Sequence, residues 1–255
     1  MAQALFELVS GNLRSANYFV SIASRFIFML GANTFSCQPA TSPTAEPESL
    51  DSRTQRHLRN LFWLCYTIDK DVALRTGQPM VFNDENCDLT LPPGYVDQLY
   101  TSMAYHHHSR ELPDNPIFPV DLRLSILKSR AYSTLYSFKA LQKTDADLLK
   151  EIRELDDDLE RWRLSVPLEW RPTLSFSHEM PDPNVSMHSV MLRMNYHLCM
   201  TIIHQASSRC NAWAKGHGGM MEGVSSSLAL SVESSRSTLL YLEMAEHVLM
   251  DGIFW

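Results

Sequence analysis

Arg59-Asn-Leu-Phe-Trp-Leu-Cys-Tyr-Thr-Ile-Asp-Lys-Asp-Val-Ala-Leu-Arg-Thr-Gly-Gln-Pro79 reads as a helix that carries its own stop signal. With Leu58 just ahead of it, Leu61, Phe62, Cys65, Ile68 and Val72 recur three and four residues apart, which lines them along one apolar face. Gly77 can take the left-handed conformation that ends a helix, and Pro79 has no N–H with which to continue one. An acidic, Pro-bounded stretch follows, Val81-Phe-Asn-Asp-Glu-Asn-Cys-Asp-Leu-Thr-Leu-Pro-Pro93, and residues 79–95 read as loop. Nothing in the run is a catalytic signature.

Outward from this stretch the same periodicity predicts helices and nothing else. Residues 2–10 read as a helix broken by Gly11, and a second runs from about Leu13 to Leu30 with Gly31 as its stop. Residues 36–50 are a Pro/Ser/Thr-rich loop, after which Asp51 or Ser52 is placed to cap the central helix. Val96 to Ala104 is a short apolar segment, followed by His106-His107-His108 and a Pro-rich connection over 112–119. A long helix is expected from about Asp121 to Gln142, and a second, capped by Thr144 or Asp145, to Arg163. Together they form an antiparallel hairpin whose second helix buries Leu148, Ile152, Leu155, Leu159 and Trp162. Residues 173–184 are polar loop. A largely apolar helix from about Ser186 to Trp213, a Gly-rich link over 216–223 and a last helix over 224–250 complete the chain. The fold class is all-α: a multi-helix bundle of antiparallel helices joined by long Pro/Ser-rich loops, with no convincing strand and no repeat. The chain is read as one domain over 1–255, with residues 1–110 carrying the motif and 117–255 the hairpin and C-terminal helices.

The totals exclude several functions. At 255 residues, 45% hydrophobic and 20% charged, the chain has the makings of a globular core. A formal charge of −7 argues against a general nucleic-acid surface, which needs clustered cations to displace phosphate counterions. The five cysteines, at 37, 65, 87, 199 and 210, include no Cys-x-x-Cys pair, so neither a zinc ribbon nor a thioredoxin-like motif is available. They are expected to be reduced thiols. There is no basic leader, and the longest apolar run, Tyr18 to Leu30, is too short to span a bilayer and contains Arg25. The chain is thus expected to be soluble and intracellular.

Each candidate site meets a plainer account. Arg59 lies one turn from Trp63 and Asp71 one turn from Arg75, and both pairs read as surface contacts that fix the helix in its bundle. Asp84-Glu-Asn-Cys-Asp88 begins like a calcium loop, yet Leu89 stands where the glycine belongs and Tyr95 where the closing glutamate belongs, so Asx-turns and capping explain it better. Consecutive histidines at 106–108 do not converge as zinc ligands do. His197 and His204, seven apart, read as core-edge residues, and Asp156-Asp157-Asp158 as a solvated face. His217-Gly-Gly lacks any Gly-x-Ser-x-Gly to supply a nucleophile, and no phosphate-binding Gly-rich loop is present. The methionines at 191, 194, 200, 220 and 221 read as adaptable core that can also line an apolar pocket. No catalytic, cofactor-binding or metal-binding residue is assigned.

The 59–79 stretch resembles the core motif of the regulatory, or middle homology, domain of fungal Zn2Cys6 transcription factors. In that family an Arg-x-Leu-Phe-Trp-x-x-Tyr-x-x-Asp-Arg/Lys helix enters a Gly-Arg/Gln-Pro turn and then an Asp-rich loop ending in Leu-Pro. The residues that carry the likeness are Arg59, Phe62, Trp63, Tyr66, Asp69, Arg75, Gly77, Pro79, Asp84, Asp88 and Pro92. Weaker likenesses extend it over most of the chain: Phe28-Met-Leu-Gly31, Leu155-Asp-x-x-Leu-x-x-Trp162 with Pro167, and Tyr196-His to Ile203-His204. The resemblance implies a non-catalytic nuclear domain that controls transcription through a protein partner, a homodimer or a small apolar effector. It also implies that zinc and DNA contact belong to an upstream Cys-x-x-Cys-x6-Cys domain missing from this sequence, and that the regulatory domain is incomplete at its N-terminus. The alternative is a stand-alone helical protein or enzyme of fungal secondary metabolism derived from this fold.

Overall fold

Wherever the structure, a computed structural model, describes the chain (residues 2–34, 50–105, 118, 120–175, 186–210 and 218–246), the apolar periodicity folds as helix. The α-helices are α1 (Ala2–Val9), α2 (Leu13–Met29), α3 (Leu50–Thr76), α4 (Tyr95–Tyr105), α5 (Leu122–Ala131), α6 (Asp145–Ser165), α7 (Met187–Gln205) and α8 (Gly218–Met244). No strand occurs among the described residues, and the protein is all-α. Gly31 and Gly77 stop α2 and α3 at φ of 68° and 70°, the left-handed region that side-chain-bearing residues avoid. Thr144 caps α6 by accepting from the Asp147 N–H at 3.2 Å, and Asp121 caps α5 by accepting from the Arg123 N–H at 3.0 Å.

The described residues fall into two compact units, one up to Leu99 and the other from Tyr100 onward. In the first, α1 and α2 pack on α3 through Ala4, Ala16, Val20, Ile68 and Val72. From Phe62 to Ala73 every residue of α3 except Leu64 is buried, so this part of the helix is central and not merely amphipathic. In the second, α5, α6, α7 and α8 enclose a larger core that includes Leu124, Leu135, Leu155, Leu159, Tyr196 and Ile203. Paired contacts fix its helix directions. Trp162 meets Asp121 while Asp158 meets Arg130, so α6 runs antiparallel to α5.

The structure corrects four expectations about where helices begin and end. The helix expected over 121–142 stops at Ala131, passes through a wider turn at Tyr132–Tyr136 and ends in a 3-10 turn at Ala140–Gln142. The Ser129, Arg130 and Ser133 carbonyls there accept bonds from the Ser133, Thr134 and Ser137 hydroxyls, a pattern in which short polar side chains compete with the helical ladder. Leu50 is already helical, so Asp51 lies in the first turn of α3 instead of capping it. Helix α7 ends at Gln205 and tightens into a 3-10 turn through Arg209. Glycines 218, 219 and 223, read as a link, lie within α8. The Pro-rich segments, His106–His108 and His217 lie outside the described residues.

Helix α7 meets α8 through a hydrogen-bonded ladder. His197 Nδ1 lies 3.0 Å from Ser234 Oγ, and His204 Nδ1 lies 2.8 Å from Ser227 Oγ. The Ser234 hydroxyl also donates to the His197 carbonyl at 3.0 Å, and Ser231 reaches the Thr201 carbonyl at 3.3 Å. Matching seven-residue spacings thus zip two antiparallel helices, and both histidines are buried rather than at the core edge. On its other ring nitrogen His204 contacts Asp156 at 3.2 Å, so one member of the expected solvated acidic run is tied to the ladder. Burial, with the Arg193 charge, lowers the His197 pKa to about 4. Its unfolded form takes up a proton near pH 6.5, so stability contributed by neutral His197 is complete above that value and is lost as pH falls toward 4. Across that window, denaturant titrations should show the wild type losing up to about 3 kcal/mol more than His197→Gln.

Candidate functional site

The motif residues of α3 face inward, onto the acidic loop. Asp69 accepts from the backbone N–H groups of Val81 at 2.9 Å and Phe82 at 3.1 Å. Lys70, fully buried, donates to the Phe82 carbonyl, lies 3.3 Å from Asp69 and 3.7 Å from Asp84, and sits 4.4 Å above the Tyr66 ring. The Tyr66 hydroxyl donates to Asp84 at 2.8 Å. Further up the helix Arg59 donates to the carbonyls of Asn33 at 3.4 Å and Thr90 at 3.1 Å, and to that of Asp88. Its guanidinium packs 4.6 Å from the Phe62 ring and 5.2 Å from Trp63. Positions 59, 62–63, 66 and 69–70 recur every turn, and every turn holds the loop.

Aromatic packing locks the same geometry. The Phe82 ring meets Phe62 edge-on at 5.5 Å and lies 5.1 Å from Phe28 of α2. Asn33, just past the Gly31 stop, donates to the Asn86 carbonyl at 2.7 Å and accepts from the Asp88 N–H at 2.8 Å. Within the loop Asn83 caps a 3-10 turn at Asp84–Asn86, and Asp88 accepts from the Thr90 N–H at 2.8 Å. The Asx-turn reading of the acidic run holds at Asp88, whereas Asp84 is held by Tyr66 and Lys70. Pro92 accepts from the Tyr95 N–H at 3.0 Å and leads into α4.

Electrostatics follow from burial. Desolvation raises the Asp69 carboxyl above the ordinary carboxylate range, and Lys70 with the two loop N–H groups only partly offsets it. Partial burial works against the Asp88 charge too, but its bonds to Thr90 and the Arg59 charge prevail and lower its pKa. Burial pushes the Cys65 thiol up to about 12 and Cys87 to about 11, so neither is a thiolate nucleophile near neutral pH. The expected surface pairs are corrected here: Arg59 and Asp71 are buried, and only Arg75 of the four charged or aromatic partners is exposed. Gly77 and Pro79 are exposed at the turn.

The resemblance places zinc in an upstream domain, and the described thiols are not arranged as a thiolate cluster. A thiolate cluster needs convergent, ionisable sulfurs, whereas Cys65, Cys199 and Cys210 are buried free thiols and Cys87 is partly buried. Among the described residues no three of His, Cys, Asp or Glu are grouped to hold a metal. Sequence reasoning missed Asn33, Lys70 and Phe82 as parts of the clamp. A signal existed for Lys70, a cation set within a run of apolar and motif positions, while nothing local marks Asn33. Outside the loop, a second clamp was also missed. Asp121 accepts from Arg123 at 2.6 Å and Trp162 Nε1 at 2.9 Å, and Arg123 donates to the Tyr100 hydroxyl at 2.6 Å.

Removing one partner of the clamp should strand the others. Asp69→Ala leaves two loop N–H groups without their acceptor and deprives buried Lys70 of its nearest carboxylate, and is expected to cost about 3–5 kcal/mol. Arg75→Ala, at an exposed position, should stay within about 0.5 kcal/mol of wild type. Urea denaturation of the two variants checks the contrast, and equal effects would contradict the clamp.

Comparison with known proteins agrees with this geometry. The description "Fungal specific transcription factor domain" matches residues 2–164, from the start of α1 almost to the end of α6. The chain is 31% identical over 170 residues, 61% of its length, to an ABC-transporter-regulating transcription factor of Aspergillus oryzae, and covers 17% of that protein. It is 32% identical over 161 residues, 61% of its length, to the protein of the same name in Aspergillus fumigatus, again covering 17%. Against the Fusaridione A cluster transcription factor fsdR of Fusarium heterosporum it is 24% identical over 238 residues, 92% of this chain and 40% of the relative. No solved structure matches the chain. Since the matched description spans the helix that grips the acidic loop and most of the helical hairpin, the chain belongs to the fungal-specific transcription factor domain family.

Proposed function

We propose that the chain is a non-catalytic regulatory domain acting in the nucleus, in which the clamped acidic loop is the element that a protein partner or small effector holds or releases. The observation that carries this is the inward use of the motif: Asp69, Lys70, Arg59 and Tyr66 all bond to the loop. Groups committed to backbone partners set a conformation; they are not poised to transfer protons or attack a substrate. The loop's outer side chains, Asn83, Glu85, Asn86 and Thr90, are exposed and offer a polar surface that exists only while the clamp is closed. A binder that prefers one loop state shifts the balance between them. DNA contact falls to a zinc-cluster module of the complete regulator, consistent with the −7 charge here. The likeness to ABC-transporter regulators makes transporter genes the first targets to test.

The test is a reporter assay with the chain tethered to a heterologous DNA-binding module. Asp88→Ala removes the side-chain contacts to Thr90 and Arg59 at a partly exposed position, keeps the Arg59 bond to the backbone carbonyl, and should leave the fold intact. Transcription is expected to change at least threefold at equal protein level. Unchanged transcription, with faster hydrogen exchange at Thr90 proving that the loop has loosened, would remove the loop from regulation.

A further inference from the structure

Between α2 and α3 lies a groove of about 300 Å³ on the side away from the acidic loop's clamp residues. Phe19, Ile22, Phe26 and Leu30 of α2 form one wall, and Leu61 and Cys65 of α3 the other. Among the described residues that line it, none is charged. Ile22, Phe26 and Leu30 remain 39%, 58% and 53% exposed, so apolar surface that would ordinarily be buried stands in water. Gln3 of α1 also lines the groove, and its amide donates to Glu7 at 2.7 Å.

We infer that this groove binds a small, neutral, largely apolar molecule, and that occupancy is relayed to the acidic loop through Asn33. The inference rests on the regulatory reading above and assigns it a ligand site. Volume selects the occupant: about 300 Å³ is at the lower end of small-ligand sites, and an inserted helix needs a longer trough. Charge selects further. A charged ligand would lose hydration and find no counter-charge in the lining. The Cys65 thiol, protonated because burial holds its pKa at about 12, adds no negative charge.

The relay follows the chain. Ile27 and Leu30 line the groove, Gly31 turns α2 off, and Asn33 holds the loop through Asn86, Asp88 and the Arg59 guanidinium. On α3, Leu61 and Cys65 alternate with Phe62 and Tyr66, which face Phe82. A molecule that props or tightens the α2–α3 spacing therefore acts on both attachments of the loop at once.

The experiment is a fluorescence titration of the full 255-residue chain with N-phenyl-1-naphthylamine, a neutral aromatic amine with a single N–H. Saturable one-to-one binding with a blue-shifted emission is expected. Ala23→Trp, which fills the groove, and Ile22→Glu, which places a charge at its exposed rim, should each weaken binding at least tenfold. Met29→Ala, 81% exposed and outside the lining, should not. Hydrogen exchange at Phe82 and Asp88 should slow at least threefold on saturation. Failure to saturate, or equal affinity in wild type and Ile22→Glu, overturns the site. Binding without any change at Phe82 and Asp88 overturns the relay. A dimer that Ile22→Glu dissociates, with no probe uptake by the monomer, assigns the face to a second copy and also overturns it. None of these results touches the reporter assay, which reads the loop variant without a ligand, so the two readings fail separately.

Discussion

Asp69 and Lys70 grip opposite sides of a single loop residue. The Asp69 carboxylate accepts from the Phe82 N–H, and the Lys70 ammonium donates to the Phe82 carbonyl, while the Phe82 ring enters the aromatic cluster of Phe28, Phe62 and Tyr66. A helical ion pair thus does for Phe82 what a neighbouring strand does in a sheet: it satisfies both backbone groups and fixes the register. Sliding the loop by one residue would misplace the ring, the donor and the acceptor together. Buried charges without partners cost several kcal/mol each, roughly, so the loop and the ion pair stabilise one another or neither persists.

The second attachment lies eleven residues back along α3, at Arg59. At about 1.5 Å per residue the two grips are about 16 Å apart, the reach of the loop between Phe82 and Thr90. Asn33 joins the upper grip by accepting from both Arg59 and the Asp88 N–H. Three segments distant in sequence therefore depend on one helix face, and the backbone polar groups of a long irregular loop find partners without forming secondary structure.

Much of this architecture was legible in the sequence. The stops at Gly31 and Gly77, the Thr144 cap and the Leu148-to-Trp162 stripe are local signals, and local signals survive into the fold. What was not legible depends on burial. Arg59, Lys70 and Asp71 look like surface residues by type, and only tertiary contacts reveal that they are enclosed. The interruption after Ala131 escaped because Leu135 keeps the apolar period through it. The three glycines at the start of α8 were read as a link by composition, yet Val224 is fully buried one residue beyond the last of them and that packing outweighs their low propensity. The serine ladder was invisible for a simpler reason: Ser227, Ser231 and Ser234 gain meaning only against His197, Thr201 and His204.

The two units use one device twice. In the second, Asp121 caps α5, holds Arg123 and Trp162, and through Arg123 reaches Tyr100, whose ring stacks on Trp170. An apolar replacement of similar shape would often be at least as stable as a buried ionic network. Such a network differs from an apolar core in how it fails. Apolar packing loosens by degrees, whereas a network with one member removed leaves several buried groups without partners and is worse than none. By that argument, half-closed arrangements of the loop of the first unit are disfavoured. That steepness suits a regulatory element. A binder needs only a few kcal/mol of preference for one state, roughly, to carry the loop from mostly closed to mostly open or back. The decisive contacts lie inside, at Phe82 and Asn33.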